Sequence, residues 1–157
     1  MIFLKPIHEE NWLEAIQLRV SDSQKNFVAP AVGILARAYA YRACDARALA
    51  IYADEKMVGL ALIRDLDEEP ACYELQQFMI DEKYQRRGYG RQALRMILEQ
   101  LRRDNQYDCV EVCVRQDDLA ALHLYESEGF LNTGYTDPNA ADCKNLMFDL
   151  NKDAADA

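Results

Sequence analysis

Between Phe78 and Arg91 the chain reads Phe78-Met79-Ile80-Asp81-Glu82-Lys83-Tyr84-Gln85-Arg86-Arg87-Gly88-Tyr89-Gly90-Arg91. An apolar strand candidate passes here through a glycine-containing loop into a helix candidate. The first backbone N–H groups of a helix have no acceptor within it and point outward, so this junction is a ready anion site. Gly88 and Gly90 remove Cβ atoms where a phosphate oxygen would approach the main chain. Arg86, Arg87 and Arg91 place positive charge around the same loop. Neither G-x-x-x-x-G-K-[ST] nor G-x-G-x-x-G occurs, so the two common nucleotide loops are absent. A Gly-x-Gly alone also suits a purely structural strand-to-helix turn.

Charge sharpens the choice. Lys83, Arg86, Arg87, Arg91, Arg95, Arg102 and Arg103 stand against the single acid Glu99, a local +6 in a chain of net charge −9, so the remainder carries −15. Such a distribution favours a small anionic ligand at the basic block and a cationic one elsewhere. A pI near 4.7 argues against nucleic acid, whose affinity depends on neutralising phosphates. The five cysteines (Cys44, Cys72, Cys109, Cys113 and Cys143) form no C-x-x-C pair, and only His8 and His123 could join them. No metal site is expected, and reduced thiols in the cytoplasm are. No apolar run approaches the ~20 residues of a membrane span, and Met1–Lys5 lacks the pattern of a signal peptide. No membrane partner is expected.

The elements that would hold this loop follow from periodicity. Ile2–Pro6 is a short first strand, and His8 to about Val20 a helix with Leu13, Ile16 and Val20 near helical spacing. A second helix begins near Pro30, with Val32, Leu35, Ala36 and Tyr39 as its apolar stripe. Strands over Ala48–Ala53 and Met57–Arg64 form a hairpin through Asp54-Glu55-Lys56. Asp65–Ala71 is a loop and Cys72–Ile80 a strand. Gly90–Arg103 is the clearest helix, its face formed by Ala93, Leu94, Ile97, Leu98 and Leu101. In the strand Cys109–Val114, Val110, Val112 and Val114 share one side. Asp117 or Asp118 caps a helix that runs to Glu128 and stops at Gly129. Strands at Leu131–Tyr135 and Asn145–Leu150 end a single domain over residues 1–150, with a loose tail over 151–157. The expected class is α+β (mixed α/β), with Cys72–Ile80 and Cys109–Val114 as parallel neighbours by the right-handed crossover rule.

Gln85 through Gly90 forms Q-x-x-G-x-G, which resembles the acetyl-CoA motif (R/Q-x-x-G-x-G/A after a strand) of the GNAT superfamily of N-acetyltransferases. A second family pattern, N-x-x-A-x-x-x-Y-x-x-x-G-F, is matched by Ala121, Tyr125, Gly129 and Phe130. Its asparagine is Asp118 here, and a carboxylate accepts hydrogen bonds but does not donate them unless protonated. Glu82 stands where many relatives have proline. The resemblance runs from about Ala48 to Leu150 and implies a central mixed β-sheet flanked by helices, with acetyl-CoA as co-substrate. It implies that backbone atoms of Phe78, Met79 and Ile80 pair with the pantetheine arm. Backbone N–H groups from Arg86 to Arg91, Tyr89 among them, would hold the pyrophosphate, with Gln85 also at the cofactor. Asp118 would lie beside the arm, and Tyr125 would protonate the leaving thiolate. By the same similarity Glu74 is the candidate base that deprotonates the acceptor amine.

The segment Asn26-Phe27-Val28-Ala29-Pro30 and the helix bearing Tyr39 and Tyr41 resemble bacterial diamine and spermine/spermidine N-acetyltransferases of this superfamily. That implies a small-molecule amine as partner, a polyamine such as spermidine or spermine, with Phe27, Tyr39, Tyr41 and Glu74 lining its groove. A homodimer is expected only by family analogy. An aminoglycoside or peptide amine as acceptor, or an acyl-CoA-binding module without turnover, are the alternatives.

Overall fold

The computed structural model describes residues 1–152; of the expected tail, residues 153–157 lie outside the described residues. In chain order the elements are β1 (Ile2–Pro6), α1 (Trp12–Ala15), α2 (Ala31–Ala40), β2 (Arg47–Ala53), β3 (Lys56–Leu66), β4 (Cys72–Ile80), α3 (Tyr89–Asp104), β5 (Cys109–Arg115), α4 (Leu119–Ser127), β6 (Leu131–Asn132) and β7 (Cys143–Asp149). They build one mixed sheet in the order β1-β2-β3-β4-β5-β7-β6. Every neighbouring pair is antiparallel except β4–β5, which is parallel. The expected class and the expected parallel pair are both present.

β3 shows why the sheet is covered on both faces. Met57–Ile63 has no polar residue and is buried throughout, so neither face of this strand can meet water. α3 covers one face with Ala93, Leu94, Ile97, Leu98 and Leu101, the stripe read from the sequence. Each such leucine or isoleucine contributes roughly 1.5–3 kcal/mol by leaving water. α2 covers the other face with Ala31 and Ile34, packed with Leu60, Leu62 and Met79.

Three expectations need correction. The helix over His8–Val20 is only α1, because the main chain at Arg19 turns away to bond elsewhere. Its N–H donates to Asp81 Oδ2 at 3.0 Å, and its carbonyl accepts from Glu82 N at 2.9 Å. The apolar stripe of α2 is rotated: Val32 and Tyr39 are exposed, while Ala31 and Ile34 face the core. This helix is apolar almost all round, so its periodicity does not select one face. The strand over Leu131–Tyr135 shrinks to β6, since Gly134 adopts φ +76° and donates to Asn132 Oδ1, closing a turn.

The feature that matters for function lies between β4 and β5. They pair only at Tyr73↔Val110 and Glu74↔Glu111. Beyond that rung β5 continues against β7, and β4 runs on alone along that edge. A register shift against β3, where Leu62 pairs with Gln77 and Ile63 with Leu75, leaves Gln76 as a bulge just past the separation. Two parallel strands thus part and leave one with an open hydrogen-bonding edge.

Candidate active site

That open edge is one wall of a groove of ≈ 350 Å³. Phe78, Met79 and Ile80 line it from β4. The following loop contributes Gln85, Arg86, Gly88 and Gly90, and α4 contributes Asp118, Ala121 and Leu124. Val20, Gln24, Phe27 and Val28, from the segment between α1 and α2, form the wall opposite.

The polar main chain in the groove belongs to alternate residues of β4. The Met79 carbonyl faces β3, where a Cβ on Gly59 would meet it at 2.4 Å. Phe78 and Ile80 therefore present their N–H and C=O groups to the open edge. Of the three residues expected to offer backbone, Met79 offers only its side chain. The Ile80 carbonyl already accepts from Gln85 Nε2 at 2.9 Å.

The loop after β4 has the form of an anion nest. Arg86 and Gly88 adopt φ +62° and +82°, turning successive amides toward one side. Among the described residues no acceptor meets any backbone N–H from Arg86 through Arg91; the first helical bond begins with Gln92 N to the Gly88 carbonyl. The side chains contribute less than the local charge implied. Arg91 and Arg95 both bind the Glu128 carboxylate, and Arg87 stacks over Tyr84 while donating to the Lys83 carbonyl. Only Arg86 of the three expected arginines lines the groove. Backbone dipoles, more than side-chain charge, would be what draws an anion to this loop.

Gly90 forms part of the floor. A Cβ there would sit 3.7 Å from Ile80 Cγ1 and 4.0 Å from Leu124 Cδ2 and Phe78 Cε1, ordinary contacts that strain nothing. Gly90→Ala should therefore stabilise the helix start by up to about 1 kcal/mol while adding bulk to the groove. We expect a slightly higher Tm together with about tenfold weaker coenzyme A binding by calorimetry, a loss of roughly 1.4 kcal/mol. Unchanged affinity would show that no phosphate approaches Gly90.

Tyr125 lies one helical turn beyond Ala121, on the same side of α4. It is 6% exposed, and its ring packs edge-to-face on Phe130 with centroids 5.2 Å apart. Its hydroxyl makes no hydrogen bond to a described residue. Burial, reinforced by the Asp118 carboxylate, pushes the phenol above its ordinary pKa, so it is a hydrogen donor throughout the physiological range. Asp118 caps α4 by accepting from Ala121 N at 3.2 Å. The carboxylate at the family's asparagine position is thus committed to the helix end, and burial raises its pKa.

Glu74 occupies the last rung before β4 and β5 separate, and its side chain is 14% exposed. Its Oε2 accepts from Arg64 Nε at 3.2 Å and Nη2 at 3.1 Å. Burial still outweighs that guanidinium, and the Glu74 pKa lies above the ordinary carboxylate value. Arg64 in turn stacks under Tyr41 at 4.6 Å. Tyr41, Arg64 and Glu74 are thus brought together, and Phe27 reaches the groove. Tyr39 is 69% exposed and covers Arg42 instead.

Residues 7–130 match the model of the Acetyltransferase (GNAT) family. The chain belongs to this family. This acetyltransferase is 24% identical over 144 residues to a spermine/spermidine N(1)-acetyltransferase of Bacillus subtilis, covering 88% of this chain and 93% of that one. Its fold is similar to the spermidine N-acetyltransferase of Vibrio cholerae, solved with CoA and spermine, with TM-score 0.76 and 17% identity over 96% of each chain. It also resembles an aminoglycoside acetyltransferase solved with coenzyme A, with TM-score 0.78 and 14% identity over 95% of each chain. No described helix of the acetyltransferase is long and apolar enough to cross a membrane.

Sequence reasoning missed two contributors to this site. Gln24 pairs with Gln85 across 61 positions, and Gln77 Oε1 accepts from Ala29 N at 2.8 Å. Neither belongs to a local motif, and glutamines carry no periodic signal. Glu128 follows Tyr125 by three residues, at the C-terminal cap of α4. Its partner spacing to Arg91 and Arg95 becomes visible only when α3 and α4 pack together.

Proposed function

We propose that this acetyltransferase binds acetyl-CoA in the groove and moves its acetyl group to a primary amine of a polyamine such as spermidine or spermine. The unpaired backbone N–H groups from Arg86 through Arg91, at the end of an open strand edge, carry the proposal. They suit a pyrophosphate, while Phe78 and Ile80 suit the amides of a pantetheine arm, which would lie along β4 as an added strand. That orientation carries the thioester toward the bulge at Gln76 and the separation of β4 from β5.

The acceptor nitrogen attacks the thioester carbonyl directly. A C–N bond forms, the carbonyl collapses from its tetrahedral state, and the C–S bond breaks. The free ammonium gives one proton to Glu74, directly or through water, before attack; the nitrogen sheds its second proton as the tetrahedral state collapses, which replaces the one that Tyr125 delivers. Tyr125 donates to the leaving sulfur, so the thiol departs neutral. A carboxylate with a raised pKa is suited to the first task, and a phenol held protonated to the second.

The polyamine assignment draws on charge as well as likeness. Glu74 and Glu111 face each other on the last rung, close enough to Glu68 for its charge to act on both. A chain that is −15 outside its basic block attracts a polycation and steers it inward. A thiol-release assay with acetyl-CoA against spermidine, spermine, an aminoglycoside and an N-terminal peptide amine tests this. Spermidine or spermine should lead in kcat/KM by about tenfold or more, a transition-state preference of about 1.4 kcal/mol. Preference for the aminoglycoside or the peptide would replace the polyamine. Calorimetry showing coenzyme A binding without turnover of any amine would leave a non-catalytic acyl-CoA module.

A further inference from the structure

The segment between α1 and α2 forms a wall of the groove, yet it belongs neither to β4 nor to the anion loop. Glutamine side chains attach it to both. Gln85 Nε2 donates to Gln24 Oε1 at 2.8 Å, and Gln24 Nε2 donates back to Gln85 Oε1 at 3.2 Å. The same Gln85 nitrogen donates to the Ile80 carbonyl, which fixes the base of the loop to the end of β4. Gln24 Oε1 also accepts from Ser21 N at 3.3 Å, so the wall's own turn hangs on this amide. Further along, Ala29 N donates to Gln77 Oε1 on β4. Phe27 and Val28, between these two anchors, are apolar residues that the wall presents to the groove, with Val20 at its start.

Gln85 opens the motif whose following amides are free for an anion, but its side chain points away from that task and into the wall. We infer that Gln24 is a positioning residue: through Gln85 it makes the order of the 20–29 wall depend on occupancy of the 86–91 loop. This rests on the groove being the coenzyme A site. An anion seated on the 86–91 amides immobilises the loop at its base, where Gln85 sits. Gln85 then holds the Gln24 amide, and Gln24 holds the turn that presents Phe27 and Val28. The wall is thereby held more firmly in its acceptor-facing form when the donor is bound. By linkage, an acceptor seated on the wall tightens the hold on the cofactor by the same factor.

Hydrogen exchange of the full chain, with coenzyme A as the added probe, tests this without knowledge of the acceptor. In the native protein coenzyme A should slow exchange in both 86–91 and 20–29, the latter about fivefold, the low end of ordinary site-to-site coupling. In Gln24→Leu, which keeps the bulk and removes the amide, 86–91 should remain protected. The 20–29 amides should then exchange equally with and without coenzyme A. Gln24→Ala is the second variant, and circular dichroism of each establishes that it folds. Protection of 20–29 that persists in the folded variants overturns the inference, because direct contact with the ligand would then suffice. Protection confined to 86–91 in the native protein also overturns it, while leaving the cofactor site intact. Absence of protection at 86–91 in the native protein removes the cofactor site itself, and the coupling with it.

Discussion

Tyr125→Phe is expected to lower kcat about a hundredfold, the lower end of what a positioned general acid contributes, while coenzyme A affinity changes little. The substitution isolates the hydroxyl. The ring remains to pack on Phe130, and the hydroxyl has no hydrogen bond to a described residue, so no buried group loses a partner. Stability should stay within ±0.5 kcal/mol, as for a change that opens no cavity. The low end of the range follows from the phenol itself. Burial and Asp118 raise its pKa, whereas a thiol ionises near 8.5, so full transfer to the thiolate is uphill. Tyr125 acts best as a hydrogen-bond donor whose proton moves late. Stopped-flow thiol release at saturating acetyl-CoA measures the effect. An unchanged kcat would transfer the proton's delivery to water.

Glu74→Gln should lower the rate at neutral pH by about a hundredfold, again within the range for a general base. The effect should shrink toward alkaline pH. The sign follows from the direction of the shift. Burial raises Glu74 above the usual carboxylate value, so the native rate falls as pH drops through that raised pKa. Below it both proteins are slow. As pH approaches about 10, an alkylamine loses its proton unaided and needs no base. The pH–rate profile of the variant should therefore lose the native acid limb and climb steadily with pH. Arg64 supplies a control that a structural role would not satisfy. Its guanidinium lowers the Glu74 pKa, so Arg64→Gln should move the acid limb to higher pH without abolishing it. An acid limb that stays in place in Glu74→Gln would exclude this carboxylate as the base.

The residues whose reading held are those whose neighbours lie close in the chain. α3 announces itself because Ala93, Leu94, Ile97, Leu98 and Leu101 fall on one side of a helix at local spacing, and that stripe is the buried one. The anion loop is legible for the same reason: its amides are free because they begin a helix, a property of the chain's local geometry. Where the sequence is apolar in every direction, as in α2, the pattern leaves the buried face open, and packing against Leu60 and Leu62 chooses it. The basic block misled differently. Seven positive charges are visible in the sequence, but Glu128, more than thirty residues away, holds two of them.

By itself the sequence determined the family, the loop of free amides that starts α3 and the position of Tyr125 on its helix. Each is written in short-range spacing that a helix or turn reads directly. Tertiary structure alone decided which groups remain free for chemistry. It separated β4 from β5 beyond Glu74, committed Asp118 to a cap and Arg91 to Glu128, and joined Gln24 to Gln85. The physical reason is that hydrogen-bond donors and acceptors are satisfied by whatever lies nearest in space. Partners brought together across a sheet leave no local signature in the order of residues.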